Sequence, residues 1–198
     1  MIDISGTRQF HGHFCPGLAL GIRAAEVALR EIGPHSSDEE VVAIVETDNC
    51  SVDAIQYLTG CTFGKGNLIH LDYGKNAFTF IRRSDGKAIR IVVRPNAAGE
   101  PDPEYTAVSQ RLNSGQAEPG DAARFTELHE QRGQQVLDAP EADLLDVRVV
   151  ATPLPAQARI FRSLVCEECG ESTMETRTRQ FHGRVLCIPC FRALEKRM

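Results

Sequence analysis

Apolar residues in the first third of the chain change period twice, and each change marks a new element. Leu18, Ile22, Ala25, Leu29 and Ile32 recur at spacings of four and three, the signature of one helix face, while Arg23, Glu26 and Arg30 fall opposite. Pro16 and Gly17 open this helix, and Gly33-Pro34 stops it. The apolar, β-branched run that starts at Val41 predicts a buried strand reaching Thr47. Asp48 and Asn49 suit a helix cap, and Val52, Ile55 and Leu58 line a short helix ending at Gly60.

Three further strands are predicted, over Leu68 to Tyr73, Ala77 to Arg83 and Lys87 to Arg94. Asp85-Gly86 joins the last two as a hairpin, because glycine accepts the positive φ of a tight turn. After a loop over 95–103 come two helices, Tyr105 to Leu112 and Asp121 to Leu137, separated by turn-rich residues 113–120. A strand over Leu144 to Thr152 follows, and Pro153 and Pro155 mark a boundary. Residues 1–155 therefore read as an α+β domain, a mainly antiparallel sheet with flanking helices, and 156–198 as a small second domain.

Length and charge narrow the classes of function. With 198 residues there is room for one domain and an appendage, and 42% hydrophobic with 25% charged residues is globular composition. A formal charge of −5 argues against a dedicated nucleic-acid protein or a polybasic membrane protein. No apolar run approaches the roughly 20 residues of a membrane span, and the N-terminus lacks a signal-peptide pattern, so a cytoplasmic protein without a membrane partner is expected. Seven cysteines then point to metal or catalysis more than to cross-links.

Four of them form Cys166-Glu-Glu-Cys169 and Cys187-Ile-Pro-Cys190, seventeen residues apart, which is zinc-ribbon spacing. Each pair on a tight turn aims two thiolates at one ion, and two turns complete a tetrahedral shell. Gly170 gives the first turn room, Pro189 stiffens the second, and Glu175 to Val185 can form the hairpin between them, with His182 as a turn residue. A module of about 40 residues buries too little apolar surface to fold unaided, so this zinc is expected to be structural. From Gln157 onward eight Lys/Arg face five Asp/Glu, and four thiolates on one Zn²⁺ reduce that +3 to +1. A phosphate-tracking surface would be more basic, which favours a protein contact or a lid role.

Phe10-His-Gly-His-Phe-Cys-Pro-Gly17 holds the second group of candidate ligands. His11, His13 and Cys15 alternate, so in an extended segment all three project to one side, and imidazole with thiolate suits zinc or another transition ion. Cys15 precedes a helix, where free N–H groups favour a thiolate, making it a candidate nucleophile as well as a ligand. Cys50 stands at another helix start, and Cys61 opens the glycine-rich run Gly60-Cys-Thr-Phe-Gly-Lys-Gly-Asn67, in which Lys65 would add charge for an anion. The catalytic candidates are thus His13, Cys15, Cys50 and Cys61. Taken singly, Cys50 and Cys61 read equally well as small buried hydrophobes, and His35, His70 and His129 as hydrogen-bonding residues. Asp53 and Gln56 are candidate partners behind the ligands. Tyr73 and Lys75 either line a pocket or are exposed turn residues.

At these residues the chain resembles the FmdE family of proteins associated with formylmethanofuran dehydrogenase. The matching segments are Phe10–Gly17 with Gly21, Glu46-Thr-Asp-Asn-Cys50 with Asp53, Gly60–Leu68, Asp72–Phe78, and the terminal Cys-x-x-Cys-Gly-Glu171 with Cys-x-x-Cys190. The resemblance is close from about Phe10 to Arg94 and in the ribbon, and the helical stretch between is not diagnostic. It implies intertwined homodimers with an α+β core, a metal-binding active site lined by the His/Cys motif, and a C-terminal zinc finger. It also implies a link to molybdenum or tungsten formylmethanofuran dehydrogenase, the enzyme that fixes carbon dioxide onto methanofuran, although many members lie outside that pathway.

Two function classes follow. The first is a dimeric metalloprotein of one-carbon or redox metabolism with a second transition metal at His13 and Cys15, and His11, Cys50 and Cys61 nearby. Its ion would activate water or polarise a carbonyl, or its two helix-start cysteines would cycle with a disulfide. The second is a non-catalytic accessory or metal-handling protein that docks onto a larger oxidoreductase through the zinc ribbon. Transcription regulation by the ribbon is the weakest alternative.

Overall fold

The computed structural model describes residues 2–195, which fall into two compact units that meet in sequence between Gln157 and Ala158. In the first unit the element order is α1 (Ile4–His11), α2 (Pro16–Glu31), β1 (Val41–Val45), α3 (Ser51–Thr59), β2 (Leu68–His70), β3 (Ala77–Arg82), β4 (Ala88–Val93), α4 (Pro103–Asn113), α5 (Asp121–Asp138), α6 (Glu141–Leu144) and β5 (Leu145–Val149). The sheet runs β2-β1-β3-β4-β5. Only the β1–β2 pair is parallel, linked through α3; the other three pairs are antiparallel. The α+β class with a mainly antiparallel sheet is therefore as expected.

Strand alternation sorts the two faces of this sheet. Val41, Ala43 and Val45 point with Phe78, Phe80, Ile89 and Ile91 into the main core, which Leu18, Ile22, Ala25 and Ile32 of α2 complete. Full burial of a Leu or Ile side chain contributes about 1.5–3 kcal/mol, so this one helix face anchors much of the domain. The opposite face carries a smaller cluster of Val42, Ile81 and Ala88, packed by Ile44, Ile69 and Val150. On that face the Arg90 guanidinium grips Glu46 through both carboxylate oxygens, one contact at 2.9 Å, which holds the Glu46 carboxyl below the usual carboxylate range.

Three elements depart from what the sequence pattern predicts. Residues 4–11 form a helix that hydrophobic period does not announce, capped by the Asp3 carboxylate at 2.8 Å from the Gly6 amide and stopped by Gly12 at φ 94°. The strand expected to reach Tyr73 ends at His70, because Gly74 at φ 64° turns the chain back and the Lys75 amide bonds the Glu46 carbonyl. Ahead of the last core strand, residues 141–144 coil into one helical turn, so that strand starts at Leu145 rather than Leu144.

The second unit holds two small antiparallel pairs, β6 (Ser163–Val165) with β7 (Ser172–Met174) and β8 (Thr178–Phe181) with β9 (Arg184–Cys187), then α7 (Ile188–Glu195). Its core is little more than Cys166, Leu186 and Cys187, with Phe181 meeting Phe191 edge-on at 5.6 Å. Among the described residues no helix is long and apolar enough to cross a membrane.

Candidate metal centre

The geometry begins with two helix starts. Cys15 is the extended N-cap of α2, and its Sγ accepts the Leu18 amide at 3.2 Å, which satisfies one of the free N–H groups there. Cys50 is the N-cap of α3, where Asn49 Oδ1 takes the Ser51 amide at 3.0 Å. The two helices cross closely because α2 presents glycines. A Cβ on Gly21 would lie 2.3 Å from the Ser51 carbonyl oxygen, and one on Gly17 would lie 3.3 Å from Cys50 Cβ.

His11 reaches the same point from the end of α1. The Gly12 turn then folds the chain so that the His13 ring lies 4.4 Å from the His11 ring, centroid to centroid. Extended alternation is therefore not what gathers the motif, since His11 is helical and a left-handed glycine separates it from His13. The ligand atoms of His11, His13, Cys15 and Cys50 nonetheless all lie within 4.8 Å of one another. A tetrahedral ion with bonds of about 2.0–2.3 Å would draw four such atoms to about 3.3–3.8 Å apart, a small contraction.

His11 carries the plainest sign of a ligand. Its Nδ1 donates to Asp53 Oδ2 at 2.7 Å, while its Nε2 is buried with no hydrogen-bond partner. A carboxylate on one imidazole nitrogen fixes the tautomer that leaves the other as a lone-pair donor, the arrangement in which histidine binds metals. Gln56 Nε2 reaches Asp53 Oδ1 at 3.4 Å, so both expected partners lie behind His11. Burial pushes the Cys15 thiol up to about 11, and burial followed by the neighbouring His11 lowers His13. Both shifts favour the neutral forms of these groups.

Cys61 does not join the cluster. It is fully buried in the main core, where its Sγ contacts the Val41 carbonyl at 3.4 Å, and burial raises its thiol. Nor does the glycine-rich loop cradle an anion. Lys65 Nζ donates to the Ser36 carbonyl at 2.9 Å, and buried Asn67 bonds the Asp38 and Val41 carbonyls at 3.1 and 3.0 Å, so the loop fastens the segment leading into β1. Tyr73 is exposed with Lys75 over its ring at 5.9 Å, and neither lines the cavity beside the cluster. His35 bonds the Leu58 carbonyl at 3.0 Å and His129 the Tyr105 hydroxyl at 3.0 Å, ordinary structural contacts.

That cavity, about 440 Å³, opens between the end of β1, α3 and β2, and both His11 and Cys50 stand in its wall. Sequence reasoning missed it, along with Gly133 of α5, where a Cβ would come 2.8 Å from the Phe14 ring and so fixes the backbone between His13 and Cys15. Neither has a local signal, because both arise from long-range packing.

In the second unit Cys166, Cys169, Cys187 and Cys190 bring their sulfurs within 4.8 Å of one another. The Cys187 amide donates to Cys166 Sγ at 3.2 Å, and amide hydrogen bonds to that sulfur lower its thiol to about 6. Gly170 at φ 75° closes the first turn and His182 at φ 50° sits in the hairpin turn. These donors suit a structural zinc.

Two family profiles match the chain. The family profile described as "FmdE, Molybdenum formylmethanofuran dehydrogenase operon" matches residues 10–146, and the prokaryotic dksA/traR C4-type zinc finger matches 159–196. A probable S-adenosyl-L-methionine-binding protein of Archaeoglobus fulgidus is 38% identical over 193 residues, covering 92% of this chain; the chain spans about half the length of that relative. A solved structure, that of a tungsten formylmethanofuran dehydrogenase FmdE-like protein from Syntrophus aciditrophicus, shares the fold. Its TM-score is 0.60 at 24% identity, over 98% of this chain and 92% of that one.

Proposed function

The chain belongs to the FmdE family, and we propose that it is a two-metal protein: a structural zinc in the C-terminal finger and a functional transition ion held by His11, His13, Cys15 and Cys50. The buried, unpartnered Nε2 of His11, backed by Asp53, is the observation that carries this reading. His13 is the most exposed of the four. An ion there would supply Lewis-acid chemistry. The protein's own groups then do the rest: Asp53 orients His11, the two helix starts steady the thiolates, and the adjoining cavity receives the substrate.

We place this activity in cytoplasmic one-carbon or redox metabolism, in a homodimer linked to an oxidoreductase of the kind the family description names. The curated relative adds support for a small-molecule site, and S-adenosyl-L-methionine is proposed as one candidate occupant. A second reading is favoured by the count of donors: four ligands make a closed shell, as in structural or metal-handling sites. In that case the chain is a non-catalytic accessory protein.

Metal analysis tests the core of the proposal. Wild type is expected to hold two ions per chain, and Cys15→Ala, Cys50→Ala and His11→Ala one each. Asp53→Asn should keep the fold and weaken the second ion about 10–100-fold in chelator competition. One ion per chain in every protein would refute the proposal. Rapid loss of the core ion to an acceptor protein, with no small molecule bound, would favour the accessory reading.

A further inference from the structure

The cavity beside the cluster has a chemical bias that the metal donors do not explain. At about 440 Å³ it falls within the range of small-molecule sites. Its apolar wall is Val45, Val52 and Leu68, and Phe63 stands at the same site with 77% of its surface exposed. Two carboxylates, Asp48 and Asp53, and the imidazole of His70 line it beside the metal donors, and no Lys or Arg does. The cations that sequence places nearby are engaged elsewhere: Lys65 on the Ser36 carbonyl, Lys75 over Tyr73, and Arg90 on Glu46.

Charge bookkeeping decides what such a cavity takes. A divalent ion with two thiolates and two neutral imidazoles sums to zero, and so do two thiols and two neutral imidazoles without the ion. With His70 counted as neutral, as at pH 7, the formal charge of the lining in both states is that of the two carboxylates. An anion entering this space meets like charge with no compensating cation, whereas a positive group gains Asp48 directly. An exposed phenyl ring adds a face on which a flat ring stacks or a cation rests.

We infer that this cavity binds an organic cation: a flat ring that packs on Phe63 and the apolar wall, joined to a positively charged group that faces Asp48. The inference rests on reading the cavity as the substrate side of the metal centre, and it names the substrate class. Asp48 is the specificity-determining residue, exposed and without a role among the metal donors.

The test uses the full chain with its metal content measured in the same samples. Benzyltrimethylammonium is the probe, since it has a fixed charge and no lone pair to bind the ion; benzyl alcohol and benzoate are its neutral and anionic counterparts. Titration followed by NMR shifts of the Cys50–Gln56 amides should give a cation affinity at least about fivefold above the alcohol, with benzoate weakest. That factor matches the roughly 1 kcal/mol at the upper end for an exposed charge contact. Asp48→Asn should erase the preference while leaving the metal content unchanged, and Phe63→Ala should weaken both aromatic probes. Equal binding of cation and alcohol, preference for benzoate, or a preference that survives Asp48→Asn would overturn the inference. A cation preference in protein with no core ion would support it while refuting the metal reading, and the converse pattern would do the opposite.

Discussion

Replacing Gly21 by alanine should destabilise the core, although Gly→Ala inside a helix ordinarily stabilises by up to about 1 kcal/mol. The new Cβ would lie 2.3 Å from the Ser51 carbonyl oxygen, 2.6 Å from its Cα and 2.8 Å from its carbonyl carbon, all backbone atoms that cannot rotate away. Carbon–oxygen contacts settle near 3.3–3.6 Å, so α2 and α3 must separate by about 1 Å. Overpacking of this kind costs about 1–3 kcal/mol and sometimes more. Contacts this short to backbone belong at the upper end, about 3 kcal/mol, so less the propensity gain the net loss is about 2 kcal/mol, an apparent Tm lower by about 4–8 °C for a domain of this size. The same separation moves Cys15 from Cys50, against the contraction that a tetrahedral ion demands, so the core ion should bind more weakly. Gly17→Ala is the contrast: its Cβ meets Cys50 Cβ at 3.3 Å and the sulfurs at 3.8 and 3.9 Å, so its stability should stay within about 1 kcal/mol of wild type. Thermal denaturation with metal analysis reads both variants. A Gly21→Ala protein as stable as wild type, with both ions retained, would refute the packing account of the site.

Two other outcomes follow from the structure. Glu46→Gln leaves the partly buried Arg90 without its carboxylate and should cost about 1–3 kcal/mol at pH 7 in urea denaturation. Because Arg90 lowers the folded pKa of Glu46, that stabilisation is complete above the unfolded carboxyl value of about 4.3 and is lost as pH falls through the lower folded value, so the gap between the two proteins should narrow on acidification. Cys187→Ser should remove one ion per chain and collapse the dispersed β8–β9 amide signals, leaving the core transition in place; retained dispersion would mean that the finger's fold does not depend on zinc.

What could be read from the chain divides by the range of the interactions involved. α2, β1 and the β3–β4 hairpin were legible because periodicity and the Asp85-Gly86 turn are local. The finger was legible because a tetrahedral ion dictates the spacing of its ligands. The eight-residue α1 was not, being too short and polar for its period to show; only Asp3 and Gly12, its caps, announce it. Cys50 and Cys61 look alike in sequence, each beside an end of α3. The crossing at Gly17 and Gly21 brings Cys50 to Cys15, while the Val41 carbonyl receives Cys61 in the core. Such choices belong to tertiary packing.

The buckle made by Lys65 and Asn67 has a bearing on how genetic screens of this protein would read. Both side chains secure the stretch that delivers β1, and the loop bearing Asp48 and Cys50 hangs from the far end of that strand. Damage at the buckle would travel along the strand and surface as lost function at positions some twenty residues away in the chain. A survey scored by phenotype alone would enrol Asn67 among the ligand-contacting residues. Measuring how much folded protein each variant yields would return it to its place as scaffolding.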